Sequence, residues 1–153
     1  MNIDPGRIGK AQECSVQLVK TFHELKPVSL LDRFKAWFGG KSVVNSYHVI
    51  FKFTVTSTSG KPYTVFIRTD PDYDLINWED NVCKVYCGCP DFKFRSAYWL
   101  NQRGALFVNN RIRIELGQAI TDKPKREPSF LCKHSYAALQ WLVGNYANVM
   151  KTI

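Results

Sequence analysis

Two short motifs in the chain place metal-binding side chains one residue apart. Cys87 and Cys89 flank Gly88, and Cys132 and His134 have the same one-residue gap. Three thiolates and one imidazole suit a tetrahedral Zn²⁺ site, with Zn–S distances of ~2.3 Å and Zn–N distances of ~2.0–2.1 Å. The two pairs therefore predict one structural zinc site, formed by two distant parts of the chain.

The spacing within each pair constrains the backbone. In an extended strand Cys87 and Cys89 would lie ~6.5–7 Å apart, which is too far for two ligands of one ion. We expect Gly88 to let the backbone tighten between the thiols and Pro90 to end the strand. We expect Cys132 at the entrance of a helix and His134 in its first turn, where helix-start amides favour a nearby thiolate.

Two other interpretations of these residues stay open. One is a set of buried structural thiols beside a surface histidine, and the other is a vicinal dithiol that exchanges disulfides. The five cysteines are an odd number, which favours metal binding in a reducing compartment over a disulfide scaffold. Cys83 is interpreted as a core residue, with a role as a reserve ligand as the alternative. Cys14 is interpreted as core.

The hydrophobic pattern predicts the elements of the N-terminal half. Apolar residues three or four apart indicate one helix over 10–26 and a second over 29–38, capped by Ser29. We expect these helices to pack on the domain, with docking on a partner as the alternative. From residue 43 the pattern alternates, which predicts strands over 43–58 and 63–69.

Weaker signals organise the rest of the chain. A third strand is predicted over 81–86, a helix over 92–100 and a small hairpin over 105–116 that turns at Asn109 and Asn110. A terminal helix of about three turns follows Leu131.

Together these elements predict an α+β fold, with a small antiparallel sheet, N-terminal helices and a C-terminal helix. We predict an N-terminal helical segment over 1–41 and an α+β zinc-binding domain over 42–153, with an insertion over 90–131.

The order Cys-x-Cys, spacer, Cys-x-His, with strands before and a helix after, resembles the SWIM-type zinc finger. That resemblance implies a ββα module that contacts DNA or proteins and whose metal takes no part in catalysis. The implied ligands are Cys87, Cys89, Cys132 and His134. The motif covers about a third of the chain, and its spacer of 42 residues is longer than usual in the family. The stretches "CGCPDF" and "CKH" also resemble small zinc-binding structural and assembly proteins of tailed bacteriophages, which implies a place in a virion.

The net charge of +8 is concentrated near the metal motifs. Residues 84–134 contain 10 Lys or Arg against 4 Asp or Glu. Such a segment attracts nucleic acid or an acidic protein surface, and a merely solvated face is the alternative. The candidate contacts are Arg95, Arg103, Arg111, Arg113, Lys123, Lys125 and Arg126. Part of the charge is expected to stabilise the thiolates, through Lys84, Lys93, Arg95 and Lys133.

The sequence argues against an enzyme and against a small-molecule substrate. Four protein ligands leave no open zinc position for water, and no phosphate-binding glycine loop or nucleophile elbow is present. We expect a non-enzymatic zinc-binding interaction module whose partners are other proteins of an assembly such as a phage virion. The alternative is a nucleic-acid-binding zinc finger that uses the basic segment.

Two further patterns bear on localisation. The longest apolar runs are far short of the ~20 residues of a membrane span, and the first residues do not resemble a secretory signal. We therefore expect a product made in the reducing cytoplasm, with no membrane partner and with incorporation into a virion if the phage resemblance holds.

Overall fold

The structure has the α+β fold that the sequence predicts, built on a four-stranded antiparallel sheet in the order β1-β2-β3-β4. The computed structural model describes residues 5–39, 47–70 and 83–153. Along the chain the elements are α1 (Pro5–Gln12), β1 (Ser15–Leu25), α2 (Leu30–Trp37), β2 (Tyr47–Thr56), β3 (Pro62–Thr69), β4 (Lys84–Cys87), a π-helical turn (Phe92–Ser96), α3 (Ala97–Gln102), α4 (Asn110–Leu116), a 3₁₀ turn (Gly117–Ile120) and α5 (Lys133–Lys151).

One face of the sheet packs against α5. Alternate residues of β2 are fully buried, as the sequence pattern predicts for a strand with one face in the core. The ring of Phe51 contacts Tyr146 of α5 at 6.2 Å between centroids, and that of Phe53 contacts Trp141 at 5.6 Å. The long C-terminal helix is therefore held against the centre of the sheet by aromatic pairs.

Aromatic residues also cover the opposite face of the sheet. Phe66 of β3 lies between Tyr86 of β4 and Phe107, with ring centroids 6.2 and 5.3 Å apart. The segment that carries Phe107 runs beside β4, where Val85 accepts from its amide and donates to the carbonyl of Ala105. Both faces of β4 are thus packed, which fixes the strand that leads into Cys87.

The predicted helix over 10–26 is wrong. Only its first residues belong to a helix, because α1 ends at Gln12, and the rest form β1, which pairs with β2 along its length. The register shifts between Leu18 and Lys20, so Val19 forms a bulge and is 50% exposed. The bulge interrupts the two-residue alternation, and the apolar residues then fall at a spacing that also fits a helix.

The predicted hairpin over 105–116 is also wrong. Asn109 does not start a turn but caps α4, where its side chain accepts a hydrogen bond from the amide of Ile112 at 2.9 Å. Ile112 and Leu116 are buried four residues apart, as in a helix. The terminal helix is confirmed, but α5 has 19 residues and is longer than the three turns predicted.

The helix predicted over 29–38 is confirmed, but the expected packing of this helix on the domain is not seen among the described residues. Ser29 caps α2 by accepting from the amide of Asp32 at 3.1 Å, as predicted. None of the α2 residues is buried. By contrast, α1 packs against α5. The alternative expectation, that this amphipathic helix is available to a partner, therefore fits α2 better.

Some predictions fall outside the described residues. They include the boundary predicted between residues 41 and 42, the first residues of the strand predicted over 43–58, and residues 81 and 82 of the third strand. Among the residues that are described, none of the helices has the length and apolar character needed to cross a membrane.

Candidate metal centre

The structure brings the two metal-binding pairs together. Within the described ranges, Cys87, Cys89, Cys132 and His134 form a cluster in which every potential ligand atom lies within 4.8 Å of the others. All four side chains are buried, and the cysteines are free thiols. Buried thiols at this separation, beside an imidazole, form a site that can hold a metal ion.

The first pair converges because the chain changes from strand to helix between the two thiols. Cys87 is the last residue of β4, and the amide of Gly88 still donates to the carbonyl of Thr64. Cys89 then begins a helical turn: its sulfur accepts from the amide of Phe92 at 3.3 Å, and its carbonyl accepts from Lys93 at 3.2 Å. This change of direction brings the second sulfur back towards the first.

The role expected for Gly88 is not what the structure has. Among the glycines of the described segments, positive φ occurs at Gly39, Gly60, Gly104 and Gly117 and not at Gly88. A Cβ at Gly88 would meet the hydroxyl of Tyr86 at 3.5 Å and the carbonyl of Thr64 at 3.8 Å, which is ordinary contact. Helix initiation at Cys89, and not glycine-only backbone geometry, therefore tightens the pair.

The second pair lies at the start of α5, as the sequence predicts. Cys132 is the N-cap of the helix, and its sulfur accepts from the amide of Ser135 at 3.4 Å. The hydroxyl of Ser135 is a further neighbour of this sulfur, at 3.3 Å. His134 occupies the first turn. Cys89 and Cys132 are thus equivalent positions, each a helix start whose sulfur accepts from the amide three residues later.

The local electrostatics favour one thiolate before any metal binds. Burial would raise the pKa of Cys132, but hydrogen bonds from Cys87 and Cys89, with help from the nearby His134 ring and Ser135, hold that pKa well below its usual value. The pKa values of the other two thiols in the cluster are raised. The hydrogen bond to Cys132 raises the pKa of Cys89 to about 12, and burial is the main cause of the raised pKa of Cys87.

His134 is held mainly by packing, and the sulfur of Cys132 is its polar neighbour in the cluster. Its ring lies 4.8 Å from that of Tyr63 between centroids, and the residue is 4% exposed. Among the described residues, neither ring nitrogen meets a partner at full hydrogen-bond geometry. A buried imidazole without partners is costly, so a metal ion on one nitrogen would relieve part of that cost.

The other two cysteines lie outside the cluster. Cys83 is buried before β4, and burial raises the pKa of its thiol to about 12. Cys14 is half-buried against the core, and its thiol donates to the carbonyl of Lys10 at 3.4 Å. Both positions agree with the interpretation of these residues as core.

The predicted basic contacts are spread over several surfaces. Arg95 lies in a pocket beside His134, Arg111 lines a groove by β3, Arg103 lies over the ring of Phe130, and Arg113 is exposed on α4. The remaining three predicted contacts line one cleft of about 750 Å³, together with Lys93 and Phe94. These three are Lys123, Lys125 and Arg126. Their contact with nucleic acid or an acidic partner stays a prediction.

Two of the four cations expected to stabilise the thiolates interact with groups outside the cluster. Lys84 interacts with Arg68 and Glu24, and Lys93 lies over the ring of Phe94. Lys133 and Arg95 do line the pocket beside His134.

Three residues near the centre were not found from the sequence. Ser135 could have been found, because it occupies the helix position that a cap residue contacts. Tyr63 and Arg7 gave no signal. Arg7 is buried, and it donates to the hydroxyl of Ser129 at 2.6 Å and pairs with Asp91 at 3.1 Å.

Comparison with known proteins gives no relative for this chain. No protein-family model matches it, no curated protein matches it in sequence, and no solved structure matches it.

Proposed function

We propose that this chain is a non-enzymatic protein-interaction module whose fold is held by one structural Zn²⁺. The observation that carries the proposal is the buried cluster of three thiols and one imidazole, whose ligand atoms all lie within 4.8 Å of one another. The cluster joins the end of β4 to the start of α5, so an ion bound there would cross-link the sheet and the helix that covers it.

The donor set favours zinc over other common ions. Ca²⁺ and Mg²⁺ take oxygen ligands, whereas three sulfurs and one nitrogen suit Zn²⁺. A tetrahedral zinc with such ligands separates its ligand atoms by ~3.6–3.8 Å. Atoms within 4.8 Å of one another reach that arrangement through small side-chain rotations.

The closed ligand set supports a structural role for the ion. A catalytic zinc takes three protein ligands and keeps one position for water or substrate. Here four buried residues complete the tetrahedron. The acidic side chain that lines the neighbouring pocket, Asp91, pairs with Arg7 and Arg95 and so is not placed as a general base.

The resemblance to the SWIM-type zinc finger extends to the elements around the ligands. Strand β3 precedes the first pair, and Cys87 ends β4. At the second pair, Cys132 caps α5 and His134 lies in its first turn. Residues 90–131 contribute α3, α4 and the 3₁₀ turn as an insertion. The order of ligands and elements supports a module of that type.

The α2 helix supports an interaction with another protein. It and the next residue expose five large apolar side chains at 59–82%, namely Leu30, Leu31, Phe34, Trp37 and Phe38. The three aromatic rings among them contact one another and form a continuous apolar surface. Exposed clusters of this kind mark binding sites. Because Arg33 and Lys35 flank the surface, we propose a partner with an apolar groove and an acidic rim.

Metal analysis tests the zinc centre. We expect one equivalent of zinc in the purified protein, and loss of both zinc and cooperative unfolding in the variant Cys87→Ser/Cys132→Ser. Cys14→Ser makes the same chemical change outside the cluster and should keep the metal. A metal-free wild-type protein that unfolds cooperatively would refute the proposal.

Paired substitutions test the interaction surface. We expect Phe34→Glu/Trp37→Glu to abolish a complex that the wild-type protein forms, measured by sedimentation and by quantitative co-purification. Ile114→Glu is the control, since Ile114 is as exposed as Trp37, at 82%. Equal complex formation by the α2 variant and the control would exclude this surface, and self-association would identify a second copy as the partner.

A second candidate function is binding to single-stranded nucleic acid. The cleft of about 750 Å³ combines Lys93, Lys123, Lys125 and Arg126 with the exposed ring of Phe94. Phosphate-binding cations around a stacking platform are typical of such sites. The affinity for a single-stranded oligonucleotide should then fall with salt, with a log–log slope of about −0.7 per phosphate neutralised. The absence of salt-dependent binding would exclude this candidate.

A further inference from the structure

The sheet face that points away from α5 carries two pairs of like charges. Lys20 lies directly opposite Lys52, and Arg68 lies directly opposite Lys84. The residues on either side of Lys52 contact α5, so Lys52 points to the other face, and Ile50, the partner of Arg68, points the same way. Burial is the main cause of a lowered pKa for Lys84, and the neighbouring Arg68 lowers that pKa further. Because like charges directly opposite one another destabilise a sheet, this face has a repulsion that an anionic ligand would relieve.

Aromatic and aliphatic side chains lie between these cations. Two rows of directly opposed residues cross the four strands on this face, namely Lys20, Lys52, Phe66 and Tyr86 in the first and Phe22, Ile50, Arg68 and Lys84 in the second. Lys20 lies over the ring of Phe22, 4.9 Å from its centroid. Phe22 and Phe66 are both partly exposed. The face therefore offers rings beside cations.

The groove by β3 extends this face towards α4. Its volume is about 560 Å³, and both Lys52 and Phe66 line it. Two further cations, Lys61 and Arg111, belong to the same lining. Lys61 lies over the ring of Tyr63, 5.4 Å from its centroid, so the arrangement of a cation beside a ring recurs. Sites that bind ligands usually have volumes of ~300–1,000 Å³, and the groove lies within that range.

Positive charge is in excess on this surface. Its six cations are Lys20, Lys52, Lys61, Arg68, Lys84 and Arg111. Within the described segments, Glu24 pairs with Arg68 at 3.2 Å and Glu115 lines the groove, so a net charge of +4 remains. Asp70, just after β3, is already neutralised by Lys26 at 3.0 Å. The surplus fits a ligand that carries several negative charges.

We propose that this face of the sheet binds single-stranded nucleic acid. The phosphates pair with the lysines and arginines, and the bases pack against Phe22 and Phe66. Cationic grooves with aromatic side chains are typical of such sites, because every base has a face that can stack. An acidic peptide would satisfy the cations but would leave the rings without a planar partner, and a duplex keeps its bases stacked on one another.

This surface is distinct from the sites proposed above. Its groove and the cleft of about 750 Å³ have only Glu115 in common among their lining residues. The inference also rests on neither the zinc centre nor the α2 surface.

Titration of the full chain with a labelled single-stranded oligonucleotide of about 12 nucleotides tests the proposal, with fluorescence anisotropy measured at several salt concentrations. We expect saturable binding with a log–log salt slope of about −3, since four neutralised phosphates each contribute about −0.7. A duplex of the same sequence and poly-glutamate should bind about tenfold more weakly, because neither stacks a base on the rings. Equal binding of the duplex or of poly-glutamate would overturn the assignment to a single strand.

Matched charge variants separate this face from general attraction to a basic protein. Lys20→Met/Lys52→Met should reduce the size of the salt slope by about 1.4 and weaken binding about tenfold or more at about 0.1 M salt. The midpoint of thermal unfolding should not fall, because the substitution removes a cross-strand repulsion. Lys10→Met/Lys151→Met removes the same charge from α1 and α5 and should bind nearly as wild type. Equal weakening in the two variants would overturn the proposal.

A ring variant tests the contribution of stacking. Phe22→Leu keeps an apolar side chain in the second row and removes the aromatic face. We expect the affinity to fall about tenfold with an unchanged salt slope. Wild-type affinity in this variant would contradict binding of bases on the sheet.

A cleft variant distinguishes this face from the second candidate function. Wild-type binding by Lys20→Met/Lys52→Met, together with a loss in Lys123→Met/Lys125→Met, would refute the sheet face and support the cleft. Zinc content is measured on the same samples. One equivalent of zinc without salt-dependent binding would refute this inference and leave the proposed function standing, whereas binding by a zinc-free protein would refute the zinc centre alone.

Discussion

Protonation of the three thiols determines how metal binding should depend on pH. Without metal, Cys132 has a lowered pKa, whereas the pKa values of Cys87 and Cys89 are raised, that of Cys89 to about 12. Cys132 is therefore the first of the three to lose its proton, and Cys87 and Cys89 stay thiols near neutral pH. A metal must displace the two thiol protons in order to bind three thiolates.

We predict that zinc binding releases two protons near neutral pH. The affinity should rise by about two decades per pH unit, because each displaced proton contributes one decade. Stabilisation by the metal is therefore lost as pH falls. Calorimetry in buffers of different ionisation enthalpy measures the number of protons. Release of three protons would mean that Cys132 is also a thiol in the free site, and release of none would contradict the pKa pattern.

We predict that Gly88→Ala is tolerated, although the residue lies between two ligands. Its φ is not positive, and an added Cβ makes only ordinary contacts. The free energy of unfolding should change by less than about 0.5 kcal/mol, and the metal content should not change. Gly60→Ala is the contrasting control, because φ is +79° there, and it should cost about 1–2 kcal/mol. Loss of metal in Gly88→Ala would restore the glycine-based explanation.

At the scale of single residues, spacing alone identified the four clustered side chains. Two pairs with a one-residue gap are visible in any printed sequence, and helix capping explains why Cys132 lies where it does. Arg7 could not be found in this way, because it meets Leu131 through a contact that spans 124 residues. Local pattern carries no information on such contacts.

At the scale of elements, the start of α4 can be tested directly, because Asn109 is a helix cap in the structure and a hairpin turn in the sequence-based prediction. We predict that Asn109→Ala lowers the free energy of unfolding by about 1 kcal/mol, because it removes the helix cap. Asn110→Ala should have little effect, since that residue is the exposed first position of the helix. Chemical denaturation measures both. Similar losses in the two variants would favour the Asn-Asn turn of a hairpin instead.

Elements were predicted well where one period dominates the sequence. In β2 the inward residues keep a two-residue period without a bulge, and that predicted face is fully buried. In β1 the bulge at Val19 breaks the alternation, so the same residues fit a helical spacing. The second error has a different cause, since Asn109 favours a turn and a helix cap for the same reason: its side chain binds nearby amides.

At the scale of the whole molecule, Arg7 joins α1 to the candidate metal centre. Its guanidinium donates to Ser129 and to the carbonyl of Leu131, next to Cys132, and it pairs with Asp91, two residues beyond Cys89. The same side chain therefore contacts both segments of the chain that contain the clustered residues.

We predict that Arg7→Met destabilises the metal-loaded protein by about 2 kcal/mol, because buried hydrogen bonds to a charged group are lost. The exposed Arg113 on α4 is the control, and Arg113→Met should change stability by less than about 0.5 kcal/mol. Denaturation with the metal bound compares the two. An equal, small effect would show that the N-terminal helix does not support the centre.

The bulge in β1 has a consequence for the behaviour of the protein at high concentration. Because β1 is the first strand in the order of the described sheet, its outer side presents backbone groups that no other described strand pairs with, and another chain could add a strand there. Val19 breaks the regular spacing of that row, and the charged Lys20 and Glu24 lie exposed along the same strand. The irregularity that makes this strand hard to recognise in the sequence thus also disfavours the edge-to-edge strand pairing from which fibrils grow.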